Sequence, residues 1–315
     1  MTQVLEYVEL RLPQLQALPR ERTVFLVAVS PVEVHGPHLP TGTDVFVSLE
    51  LQRRYIEALS RRHPDLVFVK LPPLFLGSDA LPVAGSLSVP APHLEGVLLA
   101  YARGLARQGF RYLFIADNHG GPRHQMATAM VARRAWRQDR FYVINPFEWD
   151  YRRMVQHDPE FQRLTGLGPG RCGDDADNHA GTNETSLLLA VDRHSGQSRV
   201  AADYGAVPPS LLPPRRGAAA FLGWWARCLR RLGARQLAAD LDHLANTLAW
   251  VGDPHMLPYM GAPGLASVEA GEAMLAARTE AAVQLFERAL ASQGREPVFV
   301  TPMLWFLRFL RRLPE

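Results

Sequence analysis

Residues 23–44 read TVFLVAVSPVEVHGPHLPTGTD, a stretch with two distinct parts. Its first part, Thr23 to Ser30, is a short β-branched and apolar run, which predicts a buried strand. Its second part, Pro31 to Asp44, is rich in Pro, Gly and His, which predicts a loop. A buried strand that runs into such a loop is typical of the sheet edge at which α/β proteins bind their ligands.

Strands and helices alternate along the chain after this stretch. Further strands are predicted at 66–71, 111–116 and 141–144, and helices at 45–59, 92–108, 123–137, 218–250 and 267–292. Such alternation favours an α/β fold with a mostly parallel sheet covered by helices. Because no linker or internal repeat is visible, we predict a single domain over residues 1–315, with helical and loop excursions at about 148–176 and 195–260.

The composition is that of an ordinary globular chain. Of the 315 residues, 47% are hydrophobic and 21% are charged. The formal net charge is +3, and among the basic residues only Lys70 is a lysine, which gives little support to nucleic-acid binding. No run approaches the roughly 18 apolar residues of a membrane span, and the N-terminus does not resemble a secretory signal. We therefore expect a soluble, cytoplasmic protein that binds no nucleic acid.

The two cysteines are too few for a disulfide framework and suit a reducing compartment. Cys172 precedes an acidic stretch and could be a reactive thiol or an incidental small residue.

Two loops carry side chains suited to metal binding. In the first, Glu33 and His35 are two apart, so that they point to the same side of an extended segment, and a Gly/Pro loop brings Asp44 back toward them. The second follows the predicted strand at 111–116 and supplies His119. Imidazole and carboxylate together suit zinc, manganese or iron.

A third segment contains His179 and Glu184. Thr182 could cap the following helix with Glu184 in its first turn, and His179 could be a hydrogen-bonded core histidine. One aspartate of residues 174–177 could hold a substrate nitrogen or the imidazole, while the others lie in a solvated turn. From the residues alone, these alternatives stay open.

Taken together, the three segments resemble the creatininase (creatinine amidohydrolase) family. The matching blocks, in order, are EVHGPHLP at 33–40 with Asp44, NHGG at 118–121, and HAG at 179–181 with ETS at 184–186. The resemblance extends over roughly residues 23–290. It implies a three-layer α/β/α fold, a binuclear metal centre and hydrolysis of non-peptide C–N bonds, often those of cyclic amides.

The resemblance also implies roles for individual residues. Those that match family metal ligands are Glu33, His35, Asp44 and His119. Asp44 matches the carboxylate that bridges the two ions, and Glu184 is the remaining ligand or an acid/base. His179 matches the histidine that assists proton transfer. The resemblance thus implies two divalent ions (Zn, Mn or Fe) per chain and, loosely, a homo-oligomer such as a hexamer.

The second loop departs from the family pattern. Creatinine-cleaving members carry an aromatic residue and a metal-binding glutamate directly after the histidine, where this chain has Gly120 and Gly121. We therefore expect a metal-dependent amidohydrolase that cleaves an amide or cyclic amide of a small molecule other than creatinine, through a metal-bound hydroxide. Alternatives within the family are a deformylase-type reaction, peptidase-like maturation of a small ribosomal peptide, and biosynthetic tailoring. A metal-stabilised binding protein without catalysis is the alternative from another class.

Three further features have open roles. His38 could orient a metal ligand or make a structural hydrogen bond. The tryptophans Trp149, Trp224 and Trp225 could wall a planar substrate, although core packing is favoured. The C-terminal stretch at 303–312 is apolar on one side and basic on the other. We expect it to dock on the protein body or a neighbouring subunit rather than on a membrane.

Overall fold

The computed structural model describes residues 3–155, 158–165, 177 and 179–312. Residue contacts divide the chain into two compact units. The first unit comprises Met1–Glu33, Asp44–Asp150 and Arg278–Glu315, and the second comprises Val34–Thr43 and Tyr151–Ala277. The single domain over residues 1–315 stays a prediction, because compactness does not establish whether either unit folds alone.

The described residues of the first unit contain a sheet of six strands, and all of its pairings are parallel. The strands are β1 (Gln3–Glu6), β2 (Thr23–Ser30), β3 (Val67–Lys70), β4 (Leu74–Phe75), β5 (Tyr112–Ala116) and β6 (Tyr142–Ile144). They are ordered β1-β3-β2-β5-β6, and β4 pairs with the end of β2. The central strand β2 is buried along its whole length, which explains its uninterrupted apolar sequence.

Helices cover both faces of this sheet. The helices between its strands are α1 (Leu12–Ala17), α2 (Thr43–Arg62), α3 (Ala91–Arg107) and α4 (Pro122–Asp139). On one face, Val27 and Leu113 belong to an apolar cluster with residues of α3 and α4. On the other face, Phe114 stacks on Phe286 of α10 (Val268–Ser292), and Phe286 in turn meets Tyr55 of α2. The three-layer α/β/α fold is therefore confirmed.

The second unit is built mainly from helices. These are the end of α5 (Phe147–Val155), then α6 (Pro159–Thr165), α7 (Thr182–Ser195), α8 (Gly217–Arg231), α9 (Arg235–Val251) and the start of α10. Residues 218–250 are helical as predicted, but they form two helices, because the chain turns between α8 and α9. Gly233 allows this turn, since its φ of 83° is a conformation that glycine adopts without steric cost.

The C-terminal stretch docks on the first unit, as one of the sequence alternatives predicts. The Arg133 guanidinium lies 4.1 Å from the centre of the Trp305 ring, and the Met303 amide donates to Oε2 of Glu148 at 3.2 Å. Within the described part of the chain, we find no helix with the length and apolar content that crossing a bilayer requires. The acidic residues 174 and 175 and the thiol of Cys172 lie outside the described residues.

Candidate metal centre

The first unit brings two carboxylates of the first loop together. Glu33 follows the carboxyl end of β2, and its Oε1 accepts a hydrogen bond from the Leu81 amide at 2.5 Å. Asp44 lies in the first turn of α2, where the positive end of the helix dipole favours a carboxylate. Both side chains are almost fully buried. Buried carboxylates require a positive partner, because an isolated buried charge is strongly unfavourable.

His119 meets both carboxylates from the end of β5. Its Nδ1 lies 3.0 Å from Oε2 of Glu33 and 3.3 Å from Oδ2 of Asp44. Its Nε2 lies 3.0 Å from the Ser78 carbonyl oxygen, which can only accept, so Nε2 carries a hydrogen. Burial lowers the pKa of His119, but the charge of Glu33 and hydrogen bonds to Asp44 and Glu33 outweigh it and raise the pKa well above its usual value.

These three side chains fit a divalent metal ion. Glu33, Asp44 and His119 each offer one ligand atom, and these atoms lie within 4.8 Å of one another. Two carboxylates and an imidazole suit zinc, manganese or iron. The Ser78 contact holds the imidazole as metal-binding histidines are usually held, with one ring nitrogen on a carbonyl and the other directed toward the ion. Metal binding would displace a proton from Nδ1.

A buried polar network supports the backbone at His119, and sequence reasoning missed it. Oδ1 of Asp117 accepts from the His119 amide at 3.0 Å, and its Oδ2 accepts from Asn145 at 2.8 Å and lies 3.1 Å from Nε2 of His124. Burial raises the pKa of Asp117. The charge of His124 and the hydrogen bonds from His124 and the His119 amide lower the pKa by more, so its net shift is downward. The available signal was an aspartate directly after the apolar run of β5.

The second unit gathers the other predicted site residues. Oε2 of Glu184 lies 3.5 Å from Nε2 of His35 and 3.8 Å from Nδ1 of His179. The two imidazole rings lie 4.4 Å apart, centre to centre. Nε2 of His179 donates to the Val34 carbonyl oxygen at 2.8 Å, which leaves Nδ1 facing Glu184. Each unit therefore holds its own cluster of imidazole and carboxylate groups.

The turn before α7 positions Glu184. Oε2 of Glu184 accepts from the Ala180 amide at 2.6 Å, so this side chain is fixed from outside the helix. The helix begins at Thr182 after an N-cap at Gly181, and the Thr182 hydroxyl donates to the Ala262 carbonyl oxygen instead of capping. The alternative in which Thr182 caps the helix is therefore excluded. Ala180 has a φ of 49°, an uncommon conformation for alanine directly beside His179.

Asp177 and His38 are buried within the second unit. The Asn183 amide donates to Oδ2 of Asp177 at 3.2 Å, and burial raises the pKa of Asp177 to about 8 in spite of its hydrogen bonds. Asp177 is therefore not part of a solvated turn. Nε2 of His38 lies 2.8 Å from the Thr185 hydroxyl, and burial, followed by the charge of His35, lowers the pKa of His38 to about 4. His38 is neutral at pH 7 and anchors the first loop beside Glu184.

The three tryptophans are not packed in a core. Trp149 is 44% exposed in the first unit, and Trp224 and Trp225 are 49% and 42% exposed on α8 of the second. The prediction of core packing is therefore wrong. The two indoles occupy adjacent positions of α8, their ring centres lie 5.0 Å apart, and the exposed ring of Phe221 lies beside both. A substrate wall stays a prediction.

Comparison with known proteins identifies the family of this chain. A family profile described as creatinine amidohydrolase matches residues 8–286. The chain belongs to the creatininase family. A mycofactocin precursor peptide peptidase from Mycobacterium ulcerans (strain Agy99) is 28% identical over 213 residues, which cover 64% of this chain and 73% of that protein. A protein of the same name from Mycobacterium tuberculosis (strain CDC 1551 / Oshkosh) is 26% identical over 251 residues, which cover 75% and 89% of the two chains.

A solved creatininase structure, described as the Mn form, has a similar fold. Its TM-score to this chain is 0.60 at 21% identity, and the match covers 90% of this chain and 98% of that one. At this level of identity the likeness supports the fold alone. The creatininase fold is thus present, while the substrate must be argued from the site.

Position 121 shows how this creatininase-family chain differs from the creatinine-cleaving pattern. A Cβ at Gly121 would lie 2.8 Å from the Ser78 carbonyl oxygen and 2.8 Å from Cβ of Asp79, and would also collide with His119. Asp79 is held there by the Arg123 amide, which donates to its carboxylate at 2.6 Å. The loop at 78–79 therefore occupies the space that a side chain at position 121 would need, including a glutamate.

Proposed function

We propose that this creatininase-family chain is a metal-dependent hydrolase that cleaves an amide bond of a peptide substrate. The observation that carries the proposal is the convergence of Glu33, Asp44 and His119 on one buried point. These residues would hold one divalent ion, and His35 with Glu184 would contribute to holding a second. That Asp44 bridges both ions stays a prediction from the resemblance.

The ions would supply the activated nucleophile, and the side chains would supply proton transfer. When bound, divalent ions of this type lower the pKa of coordinated water toward about 7, which makes a nucleophile available at neutral pH. His179 is the residue that moves the proton. Its Nε2 is held by the Val34 carbonyl, so Nδ1 accepts a proton and returns it to the departing nitrogen. Oε2 of Glu184 lies 3.8 Å from that atom.

Two observations support a peptide rather than creatinine. The space beside His119 is closed to the glutamate that the creatinine-cleaving pattern requires, because the loop at 78–79 fills it. The two mycobacterial relatives are named as peptidases of a precursor peptide. Hydrolysis of a non-peptide amide, which the sequence analysis expects, is the competing outcome.

The test uses the full chain, stripped with a chelator and reloaded with Mn²⁺ or Zn²⁺. It is incubated with a mixture of short synthetic peptides that vary at both ends and, separately, with creatinine, and products are identified by mass spectrometry. We expect peptide cleavage with the addition of one water, no creatine, and no cleavage by the chelated protein. Efficient release of creatine without peptide cleavage would contradict the substrate class. Full metal occupancy without cleavage of either substrate would contradict peptide cleavage and would leave the non-peptide amidohydrolase and the binding-protein alternatives.

A further inference from the structure

We infer that Arg278 is a positioning residue that orients the metal-binding carboxylate of Asp44 through the side chain of Asn118. Nη1 of Arg278 donates to Oδ1 of Asn118 at 2.5 Å, and Nδ2 of Asn118 donates to Oδ1 of Asp44 at 2.9 Å. All three residues belong to the first unit and are buried. The inference rests on the proposed metal site, which gives the orientation of Asp44 its purpose.

The chemistry of the three groups fixes the direction of the chain of hydrogen bonds. A guanidinium has donors and no acceptor, so only the amide oxygen of Asn118 can face it. The amide nitrogen must then face Asp44, whose Oδ1 accepts from it. Asp44 is thereby held with its other oxygen, Oδ2, toward Nδ1 of His119 at 3.3 Å. Rotation of the Asn118 amide would place its oxygen against the carboxylate, which is electrostatically unfavourable.

Arg278 also holds the backbone of the second loop. Its Nη2 donates to the Asp117 carbonyl oxygen at 3.1 Å, and its guanidinium lies 5.3 Å from the centre of the Phe147 ring. One side chain of α10 therefore contacts both residues that precede His119. Because the planar guanidinium offers donors in a fixed arrangement, it can satisfy both oxygens at once, which a lysine ammonium cannot do with the same geometry.

Burial makes this arrangement informative. Arg278 is 8% exposed, and burying a guanidinium costs free energy that must be offset by its partners. The partners named above are amide oxygens, and the acidic group reached through them is Asp44. An arginine that merely filled space between α10 and β5 would be replaced favourably by an apolar side chain of similar volume.

The test compares Arg278→Met, Arg278→Lys and Asn118→Ala with the wild type. Binding of Mn²⁺ is measured by titration calorimetry, the absorption spectrum of the Co²⁺-loaded protein reports ligand geometry, and thermal unfolding is followed without metal. Arg311→Met is the matched control, because Arg311 is also a buried arginine of the first unit but contacts Glu95.

We expect Arg278→Met to weaken Mn²⁺ binding by about 10- to 100-fold, the range for residues that orient metal ligands, and to change the Co²⁺ spectrum. Arg278→Lys should recover part of the loss. Arg311→Met should lower the melting temperature and leave both metal readouts unchanged. The double variant Arg278→Met/Asn118→Ala should lose no more affinity than the more damaging of the two single variants, because both changes break one chain of hydrogen bonds.

Three results would overturn the inference. One is an Arg278→Met protein that is less stable but binds Mn²⁺ with wild-type affinity and spectrum. The second is additive loss in the double variant. If Arg278→Met does not fold, the test uses Arg278→Lys, Asn118→Ala and the double variant Arg278→Lys/Asn118→Ala. Additive loss of Mn²⁺ affinity in the double variant would again overturn the inference. The third is wild-type metal content in Asp44→Ala. This result would refute the proposed metal site itself, whereas the first two refute only the role of Arg278.

Discussion

Among the described residues, His119 and His179 are anchored in the same way but have different numbers of carboxylates within 4 Å of Nδ1. Nε2 of each ring faces a backbone carbonyl oxygen, that of Ser78 at 3.0 Å or that of Val34 at 2.8 Å. Nδ1 of His119 faces two carboxylates at 3.0 and 3.3 Å, whereas Nδ1 of His179 faces Glu184 at 3.8 Å. The contact between Nε2 and a backbone carbonyl oxygen therefore does not distinguish a metal ligand from a proton carrier. The number of carboxylates near Nδ1 does distinguish the two, and by this criterion His119 is the stronger candidate for a metal ligand.

The largest expected effect follows from removing a carboxylate of the His119 cluster. Asp44→Ala should lower the metal content and abolish detectable turnover together, because Asp44 supplies one of three converging ligand atoms. Elemental analysis of the dialysed, folded protein measures the first effect and product formation the second. Asp192→Ala is the control, since Asp192 is a buried carboxylate of α7 that pairs with Arg199. Unchanged metal in Asp44→Ala would refute the ligand assignment.

Much of the fold could be predicted because its strands are buried on both faces. The bounds predicted for β2 agree with the structure, and α3 and β5 were placed within one residue. Parallel strands sandwiched between helices require apolar side chains at every position, so the sequence marks them clearly. The short edge strand β1 was missed, because three of its four residues are exposed and they carry no such pattern.

From the residues alone, candidate ligands are easiest to recognise where they follow a predicted strand, as Glu33 and His119 do. His179 and Glu184 receive their predicted roles from the family resemblance. Asp117 and Arg278 were missed, because their roles depend on which oxygen atoms surround them after folding. Arg278 lies 160 positions after Asn118, its hydrogen-bond partner, and nothing in its neighbourhood on α10 separates it from an exposed arginine. The exposure of Trp224 and Trp225 was equally hidden, since an apolar run does not specify which helix face is covered.

A second prediction separates the two histidines directly. His179→Ala should keep nearly wild-type metal content while slowing turnover by about 10²- to 10⁴-fold, the usual contribution of one acid–base group. His119→Ala should lose metal. The reduction for His179→Ala should be smallest for substrates whose departing nitrogen is a weak base, because such a group needs little help from a proton. Metal analysis and turnover on a series of leaving groups provide the measurement.

Either of two results would reverse that assignment. Loss of metal in His179→Ala would make His179 a ligand. Unchanged rates of His179→Ala on every substrate would assign the proton-transfer role to Glu184 or to Asp177 instead.

A smaller effect tests the anchor of His119. Gly121→Ala places a Cβ against the Ser78 carbonyl and the imidazole, so either the contact at Nε2 or the loop at 78–79 must shift. We expect metal affinity to fall by about 10-fold, at the lower end of the range for groups that orient ligands. Gly104→Ala is the control, because a Cβ at Gly104 of α3 meets nothing within 4 Å. Wild-type affinity in Gly121→Ala would show that the anchor is not needed.

The smallest effect concerns His243, a buried histidine whose pKa is shifted by burial alone. His243 of α9 lies beside Tyr151, and burial lowers its pKa to about 4 from an ordinary value of 6.5. This shift is opposite to that of His119, whose carboxylate neighbours raise its pKa. His243 therefore binds its proton more readily in the unfolded chain. Its contribution to the free energy of unfolding is fully present above about pH 6.5 and is lost as the pH falls through 4.

Replacing His243 should therefore flatten the acid side of the stability profile. Below pH 6.5 the free energy of unfolding of the wild type should fall more steeply than that of His243→Phe, by up to about 1.4 kcal/mol per pH unit. Urea unfolding at a series of pH values from 8 to 4.5 measures the difference, and exposed His255→Gln is the control. Parallel profiles for the wild type and His243→Phe would show that His243 is hydrated or partnered when protonated. The contrast between a histidine governed by carboxylates and one governed by burial would then no longer hold.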